Sequence, residues 1–189
     1  MKAMVLVLFL PLAAAVAAWH FYLSPEARQE RAALAFIRSA SLDEFEYRSY
    51  LQASGKWREK FQYTDAQFAC ITDVSRADFA KLLLPGTRDF LSRQELESAT
   101  RFLQSDLGVK YLNAIRFEVA RTSPDIEFPL PVVSQEPAFD IDELDTLFKW
   151  YRTPTGRKAN ALLAGTGQTE KAVVDFVDQH VKTCKRTAG

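Results

Sequence analysis

The sequence predicts an all-α fold, a small helical bundle in a single domain, and three observations predict it. Several Ser or Thr residues are followed three positions later by an acid or amide, the signature of a helix start. Apolar residues recur at spacings of three and four. No segment alternates with period two, as a half-buried strand would. The composition agrees. Seven Gly in 189 residues are too few for a many-hairpin β fold, whereas 14 Phe, 6 Tyr and 3 Trp supply a core. A chain of this length makes one ordinary domain, not two large ones.

The first segment is a targeting signal or an anchor. Lys2 gives a positive start, Met4 to Ala18 is continuously apolar, and the run closes on small residues (Ala13 to Ala18). Ala15-Val16-Ala17 and Val16-Ala17-Ala18 both fit a small-x-small cleavage site, and Pro11 suits a signal peptide better than a long straight helix. The favoured reading is a signal peptide over residues 1–18. The rival is an uncleaved membrane anchor over residues 3–23, apolar except for His20, with Trp19, His20 and Tyr22 at the interface. Either reading places the domain, residues 24–189, outside the cytoplasm: periplasmic or secreted, or held at the inner membrane by that segment. No Cys follows the apolar run to carry a lipid.

Helices then follow in order. Ser24-Pro25-Glu26 is a cap, a first-turn Pro and a first-turn acid, opening a helix to about Ser39. Ser41-Leu42-Asp43-Glu44 reads as a capping box whose helix runs toward Ala53 and is broken by Gly55. Thr64-Asp65-Ala66-Gln67 starts the helix that carries Cys70. Ser75-Arg76-Ala77-Asp78 starts a short helix that ends at Pro85-Gly86. Ser92-Arg93-Gln94-Glu95 opens another, with Leu96, Ala99 and Leu103 on one face. Gly108 interrupts, and the stripe of Leu107, Tyr111, Ala114, Ile115 and Val119 runs past it. Residues 122–139 hold four prolines and form an extended connection. Ile141, Leu144, Leu147, Phe148 and Tyr151 resume the helical period. Thr153-Pro154 starts the next helix, Gly165-Thr166-Gly167 ends it, and a last helix runs from about Gln168 to Lys185.

The two cysteines, Cys70 and Cys184, predict a disulfide. Cys184 shares an apolar stripe with Val173, Val177 and Val181, and Cys70 sits beside Phe68 and Ile71. An exported chain with an even cysteine count favours a bridge over two buried thiols. Two cysteines alone do not complete a zinc site, and their separation excludes a Cys-x-x-Cys redox pair.

Two stretches, within units of about residues 92–121 and 140–165, match without gaps at a constant offset. Glu95, Leu96, Phe102, Ser105, Gly108 and Lys110 correspond to Glu143, Leu144, Trp150, Thr153, Gly156 and Lys158. Each copy reads as helix–kink–helix: Ser105 or Thr153 caps the second helix, and Gly108 or Gly156 sits one turn in, where a missing side chain admits a close neighbour. Two such units can bury aromatic faces against each other. The run Glu143-Leu144 through Trp150-Tyr151-Arg152-Thr153-Pro154-Thr155-Gly156-Arg157-Lys158 resembles an exported bacterial domain family of unknown function, of the DUF2059 type. The resemblance is strongest between Ile141 and Leu163 and implies a helical periplasmic domain without assigning an activity.

Chemistry is sparse. Lys+Arg and Asp+Glu are both 24, so the chain has no electrostatic footprint for nucleic acid. Outside the first segment the only histidine is His180, and no Gly-x-Ser-x-Gly elbow accompanies it, so it reads as a partly buried polar residue. The run from Gly165 to Lys171 lacks the spacing of a phosphate loop. Asp140, Asp142, Glu143 and Asp145 read as dipole complements at a helix start, since the EF-hand pattern is missing. Phe102, Tyr111, Phe148, Trp150 and Tyr151 read as core. The sequence therefore predicts no catalytic residue, no metal and no cofactor. It points to a non-enzymatic interaction or accessory module of the cell envelope with an envelope protein partner. The alternatives are a binder of an apolar or lipid-like ligand and, behind that, a carboxylate-dependent hydrolase. Membrane contact is expected only through an uncleaved first segment.

Overall fold

The computed structural model describes residues 24–123, 127–165 and 168–187. The signal or anchor segment, His20, Pro124, Thr166 and Gly167 lie outside them. Among the described residues the secondary structure is entirely helical: α1 (Pro25–Ser39), α2 (Leu42–Phe61), α3 (Asp65–Thr72), α4 (Arg76–Phe90), α5 (Arg93–Leu103), α6 (Asp106–Thr122), α7 (Ile141–Arg152), α8 (Pro154–Leu163) and α9 (Gln168–Thr187). The all-α expectation is met. Among these residues no helix is long and apolar enough to cross a membrane.

Most predicted starts are built from the predicted residues. The Ser24 hydroxyl accepts the Ala27 N–H. Thr64 with Gln67 and Ser92 with Glu95 form reciprocal capping boxes, and so does Asp140 with Glu143, which the sequence offered only as part of an acidic cluster. The Asp140 pairing accounts for much of the acidic cluster, and no cluster of metal-ligating side chains gathers among the described residues.

Three boundaries differ from expectation. Ser41 is not a capping box: its backbone is left-handed (φ 57), and its side chain makes no capping bond. The Ser41 hydroxyl instead accepts from Arg116. Asp43, almost fully buried, takes a bidentate bond from Arg76, and Glu44 pairs with Arg48 and Arg76. Tertiary pairing thus outcompetes the local cap. Gly55 does not end α2, which runs on to Phe61. A helical glycine costs only about 1 kcal/mol, and the apolar face through Trp57 outweighs that. Pro85-Gly86 does not end α4, which continues to Phe90. Pro85 and Lys81 lie on the solvent side, where a carbonyl left without its helical partner can bond to water at little cost.

Two cores share α4 as a common wall. The first joins Ala32, Ala33 and Phe36 of α1, Leu96, Ala99 and Leu103 of α5, Leu112 of α6, and Ala159 and Leu162 of α8. Alanines at these crossings let helix backbones approach closely. The second gathers Tyr50 of α2, Ile71 of α3, Phe79 of α4 and Cys184 of α9, with Trp57, Phe176, Val177 and Val181 packed around them. Here rings meet edge-on or tilted: Tyr50 lies 5.7 Å from Phe79 and 6.0 Å from Trp57. The Tyr50 hydroxyl donates to the Ile71 carbonyl at 2.7 Å.

The expected bridge is present. Cys70 and Cys184 are bonded with Cα atoms 5.6 Å apart, tying α3 to α9. His180 lies parallel to Phe176 at 5.4 Å, with Nε2 3.2 Å from the Cys70 carbonyl. The proline-containing connection is non-helical over residues 127–140 and packs on its own domain. Leu130 is buried, and Phe128 lies 5.6 Å from Phe45.

Candidate functional site

The residues singled out by the matching stretches come together in one place. Phe102 and Trp150 stack with ring centroids 3.9 Å apart and planes 13° from parallel. On either side the ion pairs cross. Lys158 of the second stretch bonds to Glu95 of the first, and Lys110 of the first bonds to Glu143 of the second. This reciprocity is the contact pattern of a two-fold axis. Both glutamates also accept their capping residue's N–H, Glu95 from Ser92 and Glu143 from Asp140, so each carboxylate holds a helix start and a distant lysine together.

The corners between helices are also built alike. Ser105 donates to the Phe102 carbonyl and accepts from the Gly108 N–H. Thr153 donates to the Trp150 carbonyl and accepts from the Gly156 N–H. A Cβ on Gly108 would meet the Phe102 carbonyl oxygen at 1.9 Å, and one on Gly156 the Trp150 carbonyl oxygen at 2.1 Å. The neighbour admitted by each glycine is therefore the end of the preceding helix in its own unit. Of the paired leucines, Leu96 is fully buried and Leu144 half-buried.

This assembly is a clamp. The Lys158 ammonium, hydrogen-bonded to Glu95, holds that carboxyl below the usual range, and Lys110 does the same for Glu143. Burial, reinforced by Tyr151, pushes the Tyr111 phenol above its ordinary value. That hydroxyl donates to Asn160 at 2.6 Å. These shifts keep each group in its ordinary charge state at neutral pH, and the two lowered carboxylates stabilise the clamp. The expectation that all five aromatics are core is corrected for two of them. Phe148 is 62% exposed and Tyr151 45%, because α7 turns only Leu147 fully inward and Trp150 toward the stack.

An open apolar trough, sharing no residue with the clamp, lies between α2 and α9. Its volume is about 550 Å³. Glu46, Tyr50, Ala53, Trp57 and Phe61 line one wall, and Val173, Val174, Val177, Val181 and Lys185 the other. The two helices run the same way along it. Glu46 lies near Glu170 at one end, and Lys185 stands 5.4 Å over the Phe61 ring at the other. Phe61 is 51% exposed and Val174 58%.

The trough's ends have opposite sign. Burial pushes the Glu46 carboxyl above its ordinary value, and neighbouring Glu170 adds to the shift. At the far end Lys185 lies over Tyr63 and Phe61, and Lys60 over Phe61. Asp178 also lines the trough but is paired with Lys182. Largely apolar walls, with charges at the ends that are unpaired among the described residues, suit a non-covalent occupant. The lining holds no histidine or cysteine.

No family model, curated protein or solved structure matches this chain. Its function is therefore read from its own geometry. The trough was half visible in the sequence. Val173, Val177 and Val181 form a recognised stripe, but ending the second helix at Gly55 hides Trp57 and Phe61 from the face that begins at Glu46. The missing signal was the spacing Glu46, Tyr50, Ala53, Trp57, Phe61, which continues unbroken through the glycine.

Proposed function

We propose that this chain is an exported, non-catalytic binding module of the cell envelope, and that the trough between α2 and α9 is its working face. The observation that carries the reading is the open apolar trough itself. Its rim leaves Phe61 and Val174 half or more in water, beside a core that buries Tyr50 and Phe79. Fully burying side chains of this kind contributes about 1.5–3 kcal/mol each, and a chain that leaves them together on one face keeps that free energy for a partner. Three features support export: the positive start, the long apolar run of the first segment, and the Cys70–Cys184 bond, which belongs to an oxidising compartment. Kinship with DUF2059-type exported domains, on the matching stretches alone, is part of the same proposal.

An environment-sensitive apolar dye, anilinonaphthalene sulfonate, tests it. The folded chain is expected to bind the dye saturably. Val174→Glu and Phe61→Ser, both at the exposed rim, should weaken binding about tenfold or more with circular dichroism unchanged. Equal binding by parent and variants would remove the trough from the account. A second reading has support in the trough's volume, which lies within the roughly 300–1,000 Å³ of small-ligand sites. An acyl chain would lie along the valines with its carboxylate at Lys185. Displacement of the dye by dodecanoate would support that reading.

A further inference from the structure

We infer that the occupant of the trough is one amphipathic helix of a partner protein, running antiparallel to α2 and α9, acidic in its first turn and basic in its last. The inference rests on the trough being the binding face and adds what binds there. Shape comes first. The wall from Glu46 to Phe61 is four helical turns, about 22 Å at 1.5 Å per residue. Two helices running the same way with an apolar floor make the groove that a third helix fills ridge-first. A second copy of this chain brings a concave face to a concave face and leaves the space empty.

Charge then fixes direction. Glu46 and Glu170 stand at one end, Lys60 and Lys185 at the other. Among the described residues none of the four has an ion-pair partner. Helices favour acids in the first turn and bases in the last, to complement their dipole. Such a helix answers both ends of the trough only when antiparallel: its acidic start meets Lys60 and Lys185, and its basic end meets Glu46 and Glu170. In that orientation its dipole also opposes those of α2 and α9. A fatty acid carries one charged end. It satisfies Lys185 and leaves the two glutamates as they were.

The test uses the full chain and two synthetic amphipathic peptides of about 18 residues. Both carry the same leucine stripe. One has Glu in its first turn and Lys in its last, and the other has these ends exchanged. Fluorescence anisotropy should show the acid-first peptide binding about tenfold tighter or more. In the variant E46K/E170K/K60E/K185E the order should invert, which separates the trough's preference from any difference in the peptides' own helicity. A nitroxide on the acid-first peptide's N-terminus should broaden the Lys60 and Lys185 amide signals. Broadening at Glu46 instead, equal binding of the two peptides, or an order that fails to invert would each overturn the inference. If the dye and dodecanoate bind and neither peptide does, the trough reading stands and the helix falls. If nothing binds, both fall. A dimer in sedimentation that Val174→Glu dissociates would assign the face to a second copy and overturn the inference as well.

Discussion

The two cores solve the problem of closure differently. The core around α1, α5, α6 and α8 is filled by alanines, leucines and Phe36, and is locked by the Phe102–Trp150 stack and its crossed ion pairs. The core around α2, α3, α4 and α9 is filled by rings, leaves a trough open, and is held by a covalent bond between α3 and α9. A helix with one face in water gets less from packing. A cross-link that restricts the unfolded chain, independently of what the native face touches, offsets that loss. The open half is thus held together without covering its exposed apolar face.

The largest expected effect comes from removing that link. The bond closes a segment with a sequence separation of 114. Replacing both cysteines with serine should cost about 4–5 kcal/mol in the chain-entropy account. Hydrogen exchange should then show α9 and α3 opening before α5 and α8. Earlier opening around Phe102 and Trp150 would contradict the division into two differently held halves.

Next come the glycines. Gly108→Ala drives a methyl into a backbone carbonyl and should cost about 3 kcal/mol, roughly 10 °C in Tm by calorimetry. Gly55→Ala in the trough wall should do the opposite. Nothing lies within 4 Å of its Cβ, so the change should stabilise by about 1 kcal/mol through helix propensity. Equal effects at the two sites would deny that Gly108 sits at a close contact and Gly55 does not.

The crossed pairs rank third. Glu95→Gln keeps a capping group and loses the charge facing Lys158, whereas Glu95→Ala loses both. The unfolding free energy from denaturant titration should fall by less than about 1 kcal/mol for the first and further for the second. The pH dependence has a definite sign. Glu95 and Glu143 have lowered folded values, so their contribution is present above the ordinary carboxylate range and is lost as pH falls through those lowered values. The smallest effect belongs to Glu46, whose folded value is raised. The folded chain binds that proton more tightly, so stability falls as pH rises from the ordinary carboxylate range through the raised value. Glu46→Gln should lift Tm slightly at neutral pH and leave it unchanged in acid.

Sequence reasoning reached what is local or periodic. Ser92-Glu95 and Thr64-Gln67 announce helix starts because the bonds they make are three residues long. The cysteines pair as expected because only one pairing exists. What escaped depends on distant partners. Ser41 abandons its cap because Arg116 and Arg76 arrive from elsewhere in the chain. Gly55 and Pro85 looked like stops because a local penalty is visible in sequence and the packing that overrides it is not. The matching stretches gave the residues of the clamp. The diagonal order of their pairing appears only when the helices are placed.

That diagonal order constrains how the chain can vary. Lys110 answers Glu143 across 33 residues, and Lys158 answers Glu95 across 63. Neither lysine serves the glutamate of its own stretch. A change at one glutamate is therefore felt by the other stretch's lysine, so the two segments are bound to drift together. Relatives that have lost Glu95 should have replaced Lys158 as well, while keeping Lys110 and Glu143 intact.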